Sequence, residues 1–368
     1  MQHSKNTLAL VLATLTTGLV APHVRAQSAP EFTWYGTINM AAENSDDGSF
    51  IRNAAQSISS KLGIKGEKVI NDELSAQFQV ETGVAPDDTA NSKAFANRNS
   101  FVGLKGKSWG QALLGTYDMP FKDLKGSTAS MLGNDDVLEI VSNGKGAVRN
   151  ATLKLLPDNL HTRQTNAIYY ASPKFSGVQV KAAYGLNEPA DSSVAKTPVY
   201  GASLEYNDGT WNAGYALETK ESLTCAVATC TGTTANGNLL ARKAMLGWKG
   251  GDFSAGLVLS TIDNGLTGVN ARLVNTTAVS GAYQRGDITY KLAYGIASES
   301  FSAAADGYNM LALEVAYALD KSVNVYGYYS TITNDNNSKA RFEGGENKYS
   351  PLAGNDPRVL GVGVSYSF

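Results

Sequence analysis

Charge is scarce in this chain of 368 residues: 17% are Asp, Glu, Lys or Arg, against about 25% in an ordinary soluble domain. The signs nearly cancel, at a formal net charge of −2, so there is no basic excess for nucleic acid. Histidine is rarer still, with three in the chain, and His3 and His23 fall in the first 26 residues. That leaves His161, in a polar segment with no nucleophile motif beside it. A Ser–His–Asp hydrolase has nothing to work with, and His161 reads as a titrating surface histidine. Metal-ligand spacing is missing, and the glycine-rich FEGGEN and GKG lack the strand-to-helix setting of a phosphate loop. Helical periodicity is almost absent, which argues against an α/β periplasmic enzyme or binding protein. Beyond the N-terminus no apolar run approaches the roughly 20 residues of a spanning helix. The expectation is a protein that is not an enzyme and has no cofactor, metal or nucleic-acid partner.

The apolar run that does exist opens the chain. MQHSKNTLALVLATLTTGLVAPHVRA has one early base, Lys5, an apolar core from Leu8 to Val20, and Val24, Arg25 and Ala26 at cleavage-type positions. This reads as a secretory signal over 1–26, with a single mature domain over 27–368. Losing Lys5 and Arg25 moves the formal charge from −2 to −4.

What is abundant is glycine and aromatic residues, with 37 Gly, 18 Tyr and 11 Phe, arranged with a period of two. LSAQFQVET sets Leu74, Ala76, Phe78 and Val80 against Ser75, Gln77, Gln79 and Glu81. VQVKAAYGL and KAMLGWKG repeat the pattern. The terminal VLGVGVSYSF puts Leu360, Val362, Val364, Tyr366 and Phe368 on one face, and Gly361, Gly363, Ser365 and Ser367 on the other. Such strands are built to meet two different solvents.

Seven tight turns punctuate the strands, at residues 68–74, 106–110, 172–177, 206–211, 249–253, 284–288 and 318–322. They alternate with eight longer polar segments, at 43–54, 84–95, 118–162, 188–196, 221–239, 263–271, 300–305 and 335–356. Seven plus eight connections join 16 strands, the short ones all at one end. That asymmetry predicts a 16-stranded antiparallel transmembrane β-barrel, with the C-terminal strand pairing EFTWYGTINMAA near the N-terminus to leave no edge in hydrocarbon. Tyr35, Trp109, Tyr206, Trp211, Trp248, Tyr328 and Tyr366 are candidates for interfacial girdles. A secreted β-solenoid or sandwich does not explain the turn asymmetry.

SSKLGIKGEKVINDELSAQFQVETG (59–83), FANRNSFVGLKGKSWGQALLGTYDMP (95–120), RQTNAIYYASPKFSGVQVKAAYG (163–185) and the closing VGVSYSF resemble the signature blocks of the trimeric general porins of Gram-negative outer membranes, nearest the beta-proteobacterial branch. The resemblance implies a homotrimer in the outer membrane, among its lipid and lipopolysaccharide, that passes small hydrophilic solutes and ions. It also implies that Phe368 is an assembly signal, and that the long third loop, 118–162, folds into the lumen as a constriction.

Within that loop Asp135, Asp136 and Glu139 are the acidic constriction candidates, the alternative being that they solvate an external loop. Opposing them, Lys61 and Lys65 alternate with Leu62 and Ile64 and so face water if the apolar pair faces lipid. Lys61 matches the family's first wall arginine, without the bidentate fork. Arg98 and Arg163 match two more, although Arg98 shares parity with Val102 and Leu104. At Thr116 the family's Gly-Arg dipeptide is lost, which puts strong anion selectivity in doubt. Cys225 and Cys230, in an expected external loop of an exported protein, are a disulfide candidate, with two free thiols as the alternative. The expected function is a weakly charge-selective diffusion channel. A solute-specific channel and a closed surface-display or adhesion scaffold are the alternatives.

Overall fold

The computed structural model describes residues 31–87, 94–125, 131–132, 160–161, 163–186, 198–224, 234–263, 273–300, 305–342 and 351–368. The expected leader, Asp135, Asp136, Glu139, Cys225 and Cys230 lie outside them. Seventeen strand segments follow one another: β1 (Glu31–Asp46), β2 (Ile51–Ser57), β3 (Lys61–Val69), β4 (Leu74–Gly83), β5 (Ser100–Gly106), β6 (Gly110–Asp118), β7 (Arg163–Ala171), β8 (Val178–Gly185), β9 (Val199–Asn207), β10 (Trp211–Thr224), β11 (Thr234–Gly250), β12 (Phe253–Asp263), β13 (Leu273–Arg285), β14 (Ile288–Ala297), β15 (Tyr308–Ala318), β16 (Val323–Asn334) and β17 (Arg358–Ser367). A single helical turn, α1 (Pro120–Asp123), follows β6.

Both β2 and β3 pair with β1. They are two halves of one strand, broken where Ser59 takes a left-handed φ of 56°. Asn39 of β1 spans the break: its carbonyl accepts the Ile58 N–H at 2.8 Å, and its N–H donates to Ser60 Oγ at 2.9 Å. The ring therefore has the predicted 16 strands, each antiparallel to its neighbours. It closes where β1 meets β17, from Thr37 opposite Ser367 to Asp46 opposite Arg358.

Seven short turns fall where the sequence puts them. In two of them an aspartate replaces a missing backbone partner: Asp208 accepts from Thr210 and Trp211, and Asp320 from Ser322 and Val323. Those amide donors hold both exposed carboxyls below the ordinary aspartate range. At the other end two connections are shorter than expected. β1 and β2 stay paired up to Asp46 and Ile51, and Gly48 at φ 84° turns the chain between them. β10 and β11 stay paired up to Thr224 and Thr234, so much of 221–239 is strand.

One face of each strand is apolar and exposed, as with Leu360, Val362, Val364 and Tyr366 of β17, while its other face points inward. The girdle assignment holds for Tyr206, Trp211 and Tyr366 but fails for Tyr35 and Tyr328, which project inward because they share parity with Asn39 and with Tyr326 and Ser330. The inward Tyr328 explains the glycines of β17. Its ring lies over Gly361, where a Cβ would sit 2.4 Å from it, and Tyr326 lies over Gly363 at the same spacing. Each ring thus reaches across β17 to β1: Tyr326 donates to Asn39 Oδ1 at 2.5 Å, and Tyr328 donates to Glu43.

Gly361→Leu should force the Tyr328 ring off its floor and destabilise the closed ring by about 1–3 kcal/mol. The check is the refolded fraction in lipid vesicles, read from heat-dependent gel mobility. Wild-type yield would mean that the tyrosine is not fixed across the seam.

Candidate functional site

The four basic candidates fall into two charge clusters on the inward wall. On β3, Leu62 is exposed outward while Lys61 and Lys65 share the inward face. Arg98 precedes β5 and follows a left-handed Ala96 (φ 58°), so the alternation of Val102 and Leu104 does not govern it. Its Nε donates to Glu81 Oε1 at 2.6 Å. Lys61 Nζ lies 3.6 Å from the same carboxylate, and Tyr35 OH donates to it at 3.0 Å. Lys65 sits over the Tyr35 ring, 5.2 Å from its centroid. Glu81, with a side chain only 6% exposed, is the hub. Burying that carboxylate is tolerable because the Arg98 and Tyr35 donors and the nearby Lys61 charge replace its water.

Sequence reading missed Glu81, where it appears only as the polar half of an alternating strand. The hairpin register would have found it. Glu81 pairs with Gly63, midway between Lys61 and Lys65, and Gly63 is small because a Cβ there would meet the Tyr35 ring at 2.4 Å.

The second cluster centres on Asp118, at the end of β6. Arg163 opens β7 directly opposite, with Nη2 3.2 Å from Asp118 and Nε donating to Asn99 Oδ1 at 2.8 Å. Asn99 donates in turn to Asp118 at 3.0 Å, and Lys122 lies 3.7 Å away. The structure thus joins Lys61 and Arg98 on one carboxylate, with Lys65 beside them, and sets Arg163 on another. Among the described residues both acidic partners belong to the wall.

The root of the third loop packs on the inward faces of β8 to β11. Met119, Phe121 and Leu124 are fully buried. Gly201 leaves room for Met119 and Pro120, and Gly214 for Leu124, whose Cδ1 a Cβ would approach to 2.4 Å. Two lysines hold the turn. Lys181 bridges Asp123 at 2.5 Å and Glu205 at 2.9 Å, while Lys243 donates to the carbonyls of Phe121 and Leu124 at 3.0 and 3.4 Å and lies over the Phe121 ring. Further along, Asn39 Nδ2 donates to the Leu132 carbonyl at 2.7 Å. His161 is not the surface histidine expected. It is 4% exposed, edge-on to Phe121, with its backbone N–H donating to Glu218 Oε2 at 3.2 Å.

The sequence profile described as Gram-negative porin matches residues 8–337. Among curated proteins, the chain is 28% identical over 216 residues to a major outer membrane protein P.IB of Neisseria meningitidis serogroup B, a match covering 56% of each chain. A P.IB of Neisseria gonorrhoeae is 28% identical over 162 residues, 43% of this chain and 40% of that one. The chain thus spans about half the length of the curated relatives it matches. Among solved structures, an anion-selective porin from Comamonas acidovorans is similar at a TM-score of 0.77 and 19% identity, covering 92% of this chain and all of that one. Salmonella typhi OmpF in complex with daunomycin is similar at 0.65 and 16% identity, covering 93% and 100%.

Lys243→Met keeps the stem but removes the donor from two buried carbonyls. It should cost about 1–3 kcal/mol and raise protease cleavage near α1 while cleavage at the short turns stays unchanged. Equal protection of α1 in both proteins would refute the clamp.

Proposed function

The chain belongs to the Gram-negative porin family, whose barrels lie in the outer membrane, and on that premise we propose that it is a water-filled, weakly charge-selective channel through which small hydrophilic solutes and ions diffuse passively. The observation that carries this reading is the inward wall. A ring of 16 strands is wide enough to hold water unless side chains or loops fill it, and the inward faces of β3 to β11 present Lys61, Lys65, Glu81, Lys181 and Glu205. Bare hydrocarbon contact would make each of these costly, whereas water or an opposite charge stabilises them.

In this reading the third loop enters the lumen and brings Asp135, Asp136 and Glu139 opposite Lys61, Lys65, Arg98 and Arg163. Support comes from two described parts of the loop: its root packs on inward-facing side chains of β8 to β11, and Leu132 is hydrogen-bonded to inward-facing Asn39 of β1. No bond is made or broken, and selection is electrostatic. Glu81 and Asp118 already compensate Lys61, Arg98 and Arg163 within the wall, so the field that a passing ion meets is small. The Comamonas relative is named anion-selective. Here Thr116 stands where the family carries an arginine, and the wall cations are paired, which argues for a weaker preference.

The working unit is proposed to be a homotrimer embedded in outer-membrane lipid and lipopolysaccharide, and one similar structure, in-vitro folded OmpT of Vibrio cholerae, is a trimer form. Phe368 is proposed as the assembly signal. It exchanges both backbone hydrogen bonds with Gly36, at 3.0 and 3.1 Å, and leaves its ring exposed beside Tyr366.

The test is single-channel conductance in a planar bilayer, with the reversal potential measured under a salt gradient. Large ohmic steps in threes are expected, and silence from a folded barrel would favour a closed scaffold. Neutralising Asp135, Asp136 and Glu139 together should move the reversal potential toward anions, and Glu81→Gln should do the same by releasing Lys61 and Arg98. Neutralising Lys61, Arg98 and Arg163 should move it toward cations. If none of these variants shifts the potential, the constriction is elsewhere.

A further inference from the structure

At the long-connection end of β15 to β17 the inward residues are not those of a channel lining. Met310, Ile332 and Val359 are fully buried, and Tyr308 is nearly so. The register sets them side by side, with Met310 opposite Ile332, Tyr308 opposite Asn334 and Val359 opposite Ser330. Apolar side chains at lumen positions need a cover, because the interior of an aqueous barrel is polar.

The cover comes from the connection between β16 and β17, whose residues 338–342 fold back onto this patch. Ser338 and Ala340 are wholly buried and Phe342 is 2% exposed, while Lys339 and Arg341 between them are more open. Ala340 and Phe342 belong to the same buried cluster as Met310, Ile332 and Val359, and Met131 and Leu132 of the third loop pack against that cluster.

Asn334, the last residue of β16, fastens the segment. Its Nδ2 donates to the carbonyls of Ala340 at 3.0 Å and Asn355 at 2.7 Å, and its Oδ1 accepts from Ser338 Oγ at 2.6 Å and from the Ala340 N–H at 3.0 Å. Both amide protons and both lone pairs are thereby used. Two backbone bonds add to the hold: the Asn337 N–H donates to the Ala305 carbonyl at 2.7 Å, and the Gly354 N–H donates to the Ser338 carbonyl at 3.0 Å. A buried amide satisfied in this way fixes one geometry, since shifting the segment would leave several polar groups without partners at once.

We propose that residues 338–342 are a fixed strap that narrows the outer mouth of the barrel, with Asn334 and Phe342 as the positioning residues that make it a size filter for entering solutes. A layer packed on a sheet stands about 10 Å from it, so the strap takes that much of the opening from one side. The proposal rests on the channel reading above, with the long connections facing outward.

The test uses the full-length barrel refolded in lipid vesicles as wild type, Phe342→Leu, Phe342→Ala and Asn334→Ala. Folding is checked by heat-dependent gel mobility, and Phe342 lies outside the strands, so its variants decide the matter if Asn334→Ala does not fold. Trypsin should spare the bonds after Lys339 and Arg341 in wild type and Phe342→Leu, and cut them in the two alanine variants. Vesicle swelling with a pentose and with an uncharged trisaccharide should give a trisaccharide-to-pentose rate ratio about threefold higher in the alanine variants. The reversal potential under a salt gradient should stay where it is in wild type. An unchanged sugar ratio in Phe342→Ala overturns the proposal, as does cleavage of the wild type after Arg341. A shifted reversal potential would place the effect in the charged third loop and overturn it too. A wild type that admits neither sugar counts against the channel, while trypsin still decides whether the strap is seated.

Discussion

Every backbone N–H and C=O that enters hydrocarbon must find its partner within the protein, because no water is there to accept or donate. A strand ring meets that demand only if it closes, and here it closes where β1 meets β17. Most other features follow from closure. Side chains must alternate between lipid and lumen, turns must be tight at one end to keep neighbours in register, and the residues lining the seam must be small enough to let strands approach. The break between β2 and β3 shows how firmly the rule is applied. Where Ser59 interrupts the strand, Asn39 and Ser60 exchange backbone and hydroxyl hydrogen bonds across the gap.

The number of strands was legible because alternation and turn chemistry are local, and each of the seven short turns carries its own signal. The lengths of the outer connections were less so. Polar residues such as Glu43 and Asn53 look like loop yet sit in strands, because at that end an outward side chain no longer needs to be apolar and an inward one never did. Tyr35 and Tyr328 were misread for a related reason. A tyrosine near a strand end suits either an interface or a lumen, and only parity with its neighbours separates the two. His161 was misjudged because its burial comes from Phe121, a residue 40 positions earlier that packs against it.

The basic half of the candidate site was visible and its acidic half within the wall was not. Lys61, Lys65, Arg98 and Arg163 stand out by charge and by resemblance. Glu81 and Asp118 become meaningful only once the hairpins are in register, when Glu81 falls between two lysines and Asp118 opposite Arg163. Their pairing changes the character of the wall. Separate cations would make a strong fixed field, whereas partly buried pairs are held by geometry, are screened little by salt, and present dipoles to the lumen.

The two tyrosines that lie across β17 bear on time as well as on stability. Their hydroxyls find Asn39 and Glu43 only when the first strand has come to lie beside the last, so neither bond exists in any open sheet, however complete its other hairpins. They report that the ring has shut. Reopening the seam means losing these side-chain contacts along with the row of backbone bonds, a cost that no open sheet has to meet.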